Sequence, residues 1–314
     1  MSGDDDVMEH DEFMMAFKLW MKQAGYTLAT KREYEREASS FLKYIEELPL
    51  EKIKKFTVVS YLVQHKEHVS EATRNRTLAA LRSFFKAMND FEMMQGNPAL
   101  DVKKSKTEKN ALPVYLEQDQ LQNTMNYIEG KYKERNLAIF LLMAYSGLRV
   151  GEVHRLNLAH YHIEKGSITV LGKGRKWNEI PLPAEVNTYM QHIMEHRLTP
   201  YRQKEDAFFV SQKGRRLSIR QIQKIMSMMF KAMKEDHSEL RHLKLSCHKL
   251  RHSFATLMLR NQVDIRIVKE LMGHTSIETT MIYTHIQDDD KKQAISSIQI
   301  PNIPNLEIVD VSPV

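Results

Sequence analysis

Apolar positions recur at helical spacing along most of this chain, and at alternating spacing in one short stretch. Towards the N-terminus the pattern predicts four helices, at about 11–23, 30–47, 57–65 and 70–88, with Gly25 and Pro49 marking breaks. In the fourth, Leu78, Leu81, Phe85 and Met88 form one apolar stripe. Asn97 and Pro98 close this region, and the polar, basic run KKSKTEKN that follows has no periodicity and reads as a linker. Helices are predicted again at 118–128 and 134–145, the second carrying an almost continuous apolar run that should be buried. Ser146 and Gly147 interrupt it, and a new helix starts near Val150. Segments 161–163, 167–171 and 177–182 read as three short strands, with Gly172 and Gly174 flanking Lys173 in a tight turn. A helix over 219–233, capped by Ser218, places Ile222, Ile225, Met226 and Met229 at core spacing.

Three short helical pieces are expected near the C-terminus. From Ser246 to about Arg260, Leu250, Phe254, Leu257 and Met258 share an apolar stripe, while His248 and Arg251 lie three apart on a strip beside it, next to the small Ala255. Asp264 reads as the N-cap of a second helix carrying Ile267, Val268 and Leu271, with Gly273 as its stop. Thr275 and Glu278 have capping-box spacing for a third, on which Ile277 and Met281 form the apolar side and Tyr283 projects away from it. The fold expected is mainly α with a small antiparallel β-sheet in the C-terminal domain. Its divisions are a helical domain at 8–104, a basic linker at 105–111, an α+β domain at 112–287 and a tail at 288–314.

Charge adds a partner class. The formal net charge is +6 although the chain starts with Asp4, Asp5, Asp6, Glu9, Asp11 and Glu12, so basic residues concentrate elsewhere and favour a polyanion. Candidates for such contacts are Arg74, Arg76, Arg82 and Lys86 on the fourth helix, Lys103 and Lys104 at the linker, and Arg215, Arg220 and Lys224 around the 219–233 helix; a simply solvated basic face is the competing explanation. The single cysteine, Cys247, excludes an internal disulfide and fits a reducing compartment. No apolar run approaches the ~20 residues of a membrane span and the acidic start lacks the basic and apolar regions of a signal peptide, so a cytoplasmic location without membrane association is expected.

Two histidines, an arginine and a tyrosine at short helical ends, without a carboxylate cluster, suit attack on a phosphodiester. Arginine offers a planar fork to phosphate oxygens, histidine moves protons near neutral pH, and a phenol oxygen is a nucleophile. Other chemistries fit less well. His248 and His252 have the i, i+4 spacing of a helical metal pair, but Lys, Leu and Arg lie between them, with no glutamate, and Arg251 would repel a cation. Cys247 adjoins His248, yet neighbouring helical residues point about 100° apart and do not face each other.

The run His-x-x-Arg-His at 248–252, Gly273-His274, and Tyr283 nine positions after that histidine resemble the tyrosine recombinase (phage integrase) family. SGLRVGEVHRL, roughly a hundred residues upstream of Arg251, matches the family's first signature and puts Arg149 in its first-arginine position; LGKGRKWNEIPL supplies a lysine in a β-turn. The match spans about 112–285 strongly and the N-terminal part more weakly. It implies a helical core-binding domain joined to an α+β catalytic domain, the simple two-domain Xer-like arrangement, because too few residues precede the first helix for the separate arm-binding domain of many phage integrases.

What the resemblance implies for the chemistry is a site-specific DNA recombinase. Tyr283 would attack the scissile phosphate and form a 3′-phosphotyrosyl link, with Arg149 and Arg251 on the nonbridging oxygens. Lys173 would protonate the leaving 5′-oxygen, His248 would assist proton transfer, and His274 would hydrogen-bond the phosphate; Glu152 and His252 would support them. Lys176 competes for the lysine role, and Glu152 is also explained as a charge favourable to a helix start. No cofactor, ATP or metal is implied. The partners would be double-stranded DNA and three further subunits, alike or related, in a tetramer exchanging strands through a Holliday junction, with the tail docking on its own or a neighbouring subunit. A DNA-binding regulator without catalysis and a topoisomerase IB-like strand rejoiner are the other classes compatible with these residues.

Overall fold

The computed structural model describes residues 3–46, 48–106, 114–172, 177–273, 295, 296 and 298, with side chains from residue 10 onward. It divides into two compact units, 1–111 and 112–314. Among the described residues no helix is long and apolar enough to cross a membrane.

The first unit is built of α1 (Gly3–Gln23), α2 (Leu28–Ile45), α3 (Lys55–Ser60), which runs on into a π-helical turn at Tyr61–His65, and α4 (Glu71–Asp90). Capping hydroxyls fix where two of these helices begin: Thr27 accepts from the Thr30 N–H and Ser70 from the Thr73 N–H. The apolar stripe expected on α4 is buried in full, and Leu78, Leu81, Phe85 and Met88 meet Phe17, Phe41 and Tyr61 in one core. Phe41 sits edge-on to both Tyr61 and Phe85, with ring centres 5.1 and 5.6 Å apart.

The second unit is arranged around α6 (Lys133–Tyr145), whose residues Leu137 to Tyr145 are all buried. Such a segment is apolar on every side because helices pack around it: α5 (Gln118–Met125), α8 (Ala184–Glu195), α9 (Ile219–Asp236) and α10 (Cys247–Arg260) all touch it. Helix α8 is an addition to the elements expected from the sequence, although its buried Val186, Tyr189, Met190 and Ile193 follow helical spacing. Between α6 and α8 lie α7 (Val150–Arg155) and the antiparallel sheet β1 (Tyr161–His162), β2 (Ser167–Leu171) and β3 (Trp177–Pro181), in the order β1-β2-β3. The register pairs Leu171 with Trp177 at the open end of the β2–β3 ladder. The final described helix is α11 (Ile265–Leu271), started by the Asp264 carboxylate on the Arg266 N–H and stopped by Gly273 at φ +53°. Ile295 and Ile298 are buried in the core of this same unit; apart from Ser296, the rest of the tail lies outside the described residues.

Candidate active site

The site is assembled where the end of α6, the middle of α10 and the end of α11 meet. The chain leaves α6 through Ser146 and Gly147, and the Leu148 N–H reaches back to the Leu142 carbonyl at 3.1 Å. Gly147 has φ +67°, and a Cβ there would stand 2.5 Å from the Phe254 ring of α10. Glycine is thus required twice over, for the left-handed backbone and for the close approach of α10. Two residues later Arg149 occupies the N-cap position of α7, with extended backbone.

Glu152, in the first turn of α7 and 4% exposed, is the anion that organises the site. Its Oε2 accepts from the Arg149 main-chain N–H at 2.7 Å and its Oε1 from Arg149 Nη1 at 2.8 Å. The same carboxylate lies 3.8 Å from Arg251 Nη1. One carboxylate thus caps the start of α7 and lies against both guanidinium groups.

Arg251 enters from α10 and is 6% exposed. Its guanidinium donates to the carbonyls of Gly147 and Met272. Arg149 Nη2 donates to the same Met272 carbonyl at 3.1 Å and to the Gly273 carbonyl at 3.4 Å. These carbonyls belong to the C-terminal end of α11, where main-chain acceptors have no partner within the helix. Two cations and one carboxylate thus share a small volume with a net positive charge. Burial, with the like charge of Arg149, pushes the Arg251 guanidinium down to about 10, and Glu152 works against that fall. Arg251 therefore stays charged at neutral pH. Arg149 keeps about a third of its side chain exposed, which leaves the pair open on one side to an anion.

α10 is held in place from its other end as well, since Arg260 binds Glu117 and donates to Tyr115 Oη, and the Ser253 hydroxyl accepts from the Leu116 N–H at 2.8 Å. His248 is exposed in the first turn of α10, one turn before Arg251. His252 is exposed too, and partial burial together with Lys249, His248 and Arg251 lowers its pKa, so it is neutral at pH 7. These two histidines have no third ligating side chain with them among the described residues. Cys247 is buried and its thiol is pushed up to about 11, which keeps it protonated and suits a packed residue rather than a nucleophile. Lys173, Lys176, His274 and Tyr283 lie outside the described residues.

The residues expected to meet DNA divide by what they do in the fold. Arg82 donates to the carbonyls of Ala99 and Val102 at 3.0 and 2.6 Å, so its guanidinium pins the segment after α4 to that helix. Arg74 is half-buried and directed at the carbonyls of Glu67 and Val69. Arg76 pairs with Glu33 at 3.2 Å, and the exposed Lys86 lies over the Trp20 ring. Lys103 and Lys104 are exposed, as is Arg220; Lys224 lies one turn after Arg220 on the outer side of α9. Arg215 precedes that helix in the turn after Gly214. Sequence reasoning missed the carbonyls of Gly147 and Met272, because a main-chain acceptor leaves no mark in side-chain patterns. It also missed Asn178, which the alternation of β3 places on the same face as the buried Ile180.

A helical unit precedes an α+β unit in which two arginines converge beside a helix end, an arrangement suited to an anion, and comparison with known proteins supplies the class. The pattern described as "Phage integrase family" matches residues 114–290, and "Phage integrase, N-terminal SAM-like domain" matches 17–90. The chain belongs to the phage integrase family. A tyrosine recombinase XerD of Oceanobacillus iheyensis is 32% identical over 273 residues, covering 84% of this chain and 90% of that protein. A tyrosine recombinase XerC of Mannheimia succiniciproducens is 34% identical over 273 residues, covering 84% and 87%. Among solved structures, the Tn1549 transposon integrase in complex with circular intermediate DNA shares the fold, with a TM-score of 0.70 at 18% identity, over 90% of this chain and 98% of that one. This chain is a site-specific tyrosine recombinase, an enzyme that exchanges DNA strands by transesterification through a phosphotyrosyl intermediate.

Proposed function

We propose that this recombinase acts on double-stranded DNA as a simple two-domain, Xer-like enzyme, with Tyr283 as nucleophile and Arg149, Lys173, His248, Arg251 and His274 around the scissile phosphate. The observation that carries this reading is the convergence of Arg149 and Arg251 on the Met272 carbonyl, one residue before the Gly273-His274 pair and with Glu152 bracing both. That carbonyl marks where acceptor oxygens suit the two forks, and a phosphate on their open side satisfies the same donors with a negative charge.

In the cleavage step the Tyr283 oxygen bonds to phosphorus as the bond to the 5′-oxygen breaks. The phenolic proton passes to His248 and Lys173 protonates the departing oxygen. Arg149 and Arg251 oppose the charge that grows on the nonbridging oxygens, and His274 donates a further hydrogen bond. Phosphodiester energy is conserved in the phosphotyrosyl bond, so the 5′-hydroxyl of a partner strand reverses the reaction without ATP. Two such rounds through a Holliday junction, in a tetramer on two duplexes, complete the exchange. The basic residues Arg220 and Lys224 supply charge for the duplex, together with Arg76, Lys86, Lys103, Lys104 and Arg215.

A duplex nicked close to the cleavage position, so that the freed 5′ fragment diffuses away, traps the covalent step. The wild-type protein should accumulate an adduct resistant to denaturation, including in EDTA, while Tyr283→Phe should bind the same DNA without forming one. A DNA-binding regulator gives no adduct from either protein. A strand that is only ever rejoined to its own partner, with no recombinant product from two intact sites, indicates a topoisomerase-like enzyme instead.

A further inference from the structure

Asn178 stands in the site and has no place in the scheme above. Along β3 the side chains alternate: Trp177 and Glu179 face outward, where Trp177 packs on the His160 ring with centres 5.0 Å apart and Glu179 accepts from Ser167 Oγ at 2.6 Å. Asn178 therefore shares the inner face with Ile180, and it pairs with the buried Val170 across the hairpin. That face meets the turn after α11. A Cβ built on Gly273 would lie 3.5 Å from Asn178 Nδ2 and 3.8 Å from Arg149 Nη1, so the amide and the guanidinium flank the same backbone position.

We propose that Asn178 contacts the substrate, its amide donating a hydrogen bond to one nonbridging oxygen of the scissile phosphate beside Arg149. The inference deepens the recombinase reading and rests on it. The half-buried Asn178 side chain makes no hydrogen bond within the described residues, and its amide carries two N–H donors. A neutral donor suits this place. Arg149 and Arg251 already repel each other, and a third cation would push Arg251 down further, whereas an amide adds donors without charge. Asn178 belongs to β3, so an amide held by the phosphate fixes that strand against the substrate.

The test is single-turnover cleavage by wild type, Asn178→Ala and Asn178→Asp. The substrates are duplexes built on a sequence that the protein selects from a random pool, nicked at successive positions. Loss of one hydrogen bond to a charged group should slow cleavage by about 10- to 100-fold, with duplex affinity unchanged, and Asn178→Asp should be slower still because a carboxylate opposes the phosphate. Each scissile methylphosphonate diastereomer replaces one nonbridging oxygen by a methyl group. The ratio of wild-type to Asn178→Ala rates should fall to about one on the diastereomer that lacks the contacted oxygen and persist on the other. Equal cleavage by wild type and Asn178→Ala on the unmodified duplex, or the same loss on both diastereomers, overturns the contact. Absence of any adduct from the wild-type protein overturns the recombinase reading itself.

Discussion

Glu152 is the anion that braces the two arginines, and it is buried, so its loss has consequences that can be separated. Glu152→Ala leaves Arg251 buried without a countercharge and frees Arg149 from the helix start. Removing one partner of a buried pair costs about 3–5 kcal/mol, which calorimetry would read as a lower unfolding temperature, and strand cleavage should fall even at temperatures where the variant is folded. Arg251 gives a pH dependence whose sign follows from its lowered pKa. A bound phosphate favours the charged guanidinium, so its contribution to DNA affinity is complete at neutral pH and lost as pH rises through about 10. Binding titrations from neutral pH up through that value should show wild type losing more affinity than Arg251→Met, whose decline reports every other group on protein and DNA. Much of this site is legible in the sequence. The three-residue spacing of His248 and Arg251 puts them on one side of a helix, and the strip next to the apolar stripe leaves room for a ligand. The depth of Arg251 is not legible, because what buries it is the packing of the turn after α6, 104 residues upstream, and of the end of α11.

Among the elements, the junction of α6 and α10 decides whether the arginines meet. Gly147→Ala would force a Cβ into the Phe254 ring and strain a left-handed backbone, so α10 or the turn must move. A destabilisation of more than about 2 kcal/mol is expected, measured by denaturant unfolding, together with reduced cleavage because the Gly147 carbonyl holds Arg251. Unchanged stability would mean that the turn relaxes without cost. The elements themselves are easy to read where composition agrees with period: the buried run of α6, the Asp264 and Ser218 caps, and the three strands around their glycines. Helix α8 is harder to read because it follows β3 through the Pro181-Leu182-Pro183 bend and its apolar positions are divided by polar ones. The expected helix at 57–65 exists as two pieces, an α-helix and a π-helical turn, a distinction that period alone does not make.

At the scale of the whole molecule, the two units are built on cores of different character. The first unit is all-helical with an aromatic centre, whereas the second packs a small sheet and several helices about α6. Charge on α9 faces outward at Arg220 and Lys224, and replacing both with glutamine should weaken duplex binding and flatten the fall of log affinity with log salt, by about 1 for each phosphate no longer neutralised. An unchanged slope would assign that face to solvent. Arg82→Gln should instead lower the stability of the first unit, since its guanidinium binds the chain after α4. The central claim concerns one bond, between the phenol oxygen of residue 283 and a DNA 3′-phosphate. Trapping the adduct on a nicked duplex, digesting the protein and sequencing the nucleotide-bearing peptide by mass spectrometry locates it directly. The expected result is a peptide modified at Tyr283 that carries a 3′-phosphate, with a 5′-hydroxyl on the released strand; a modification at any other residue, or a 5′-phosphate linkage, would contradict it.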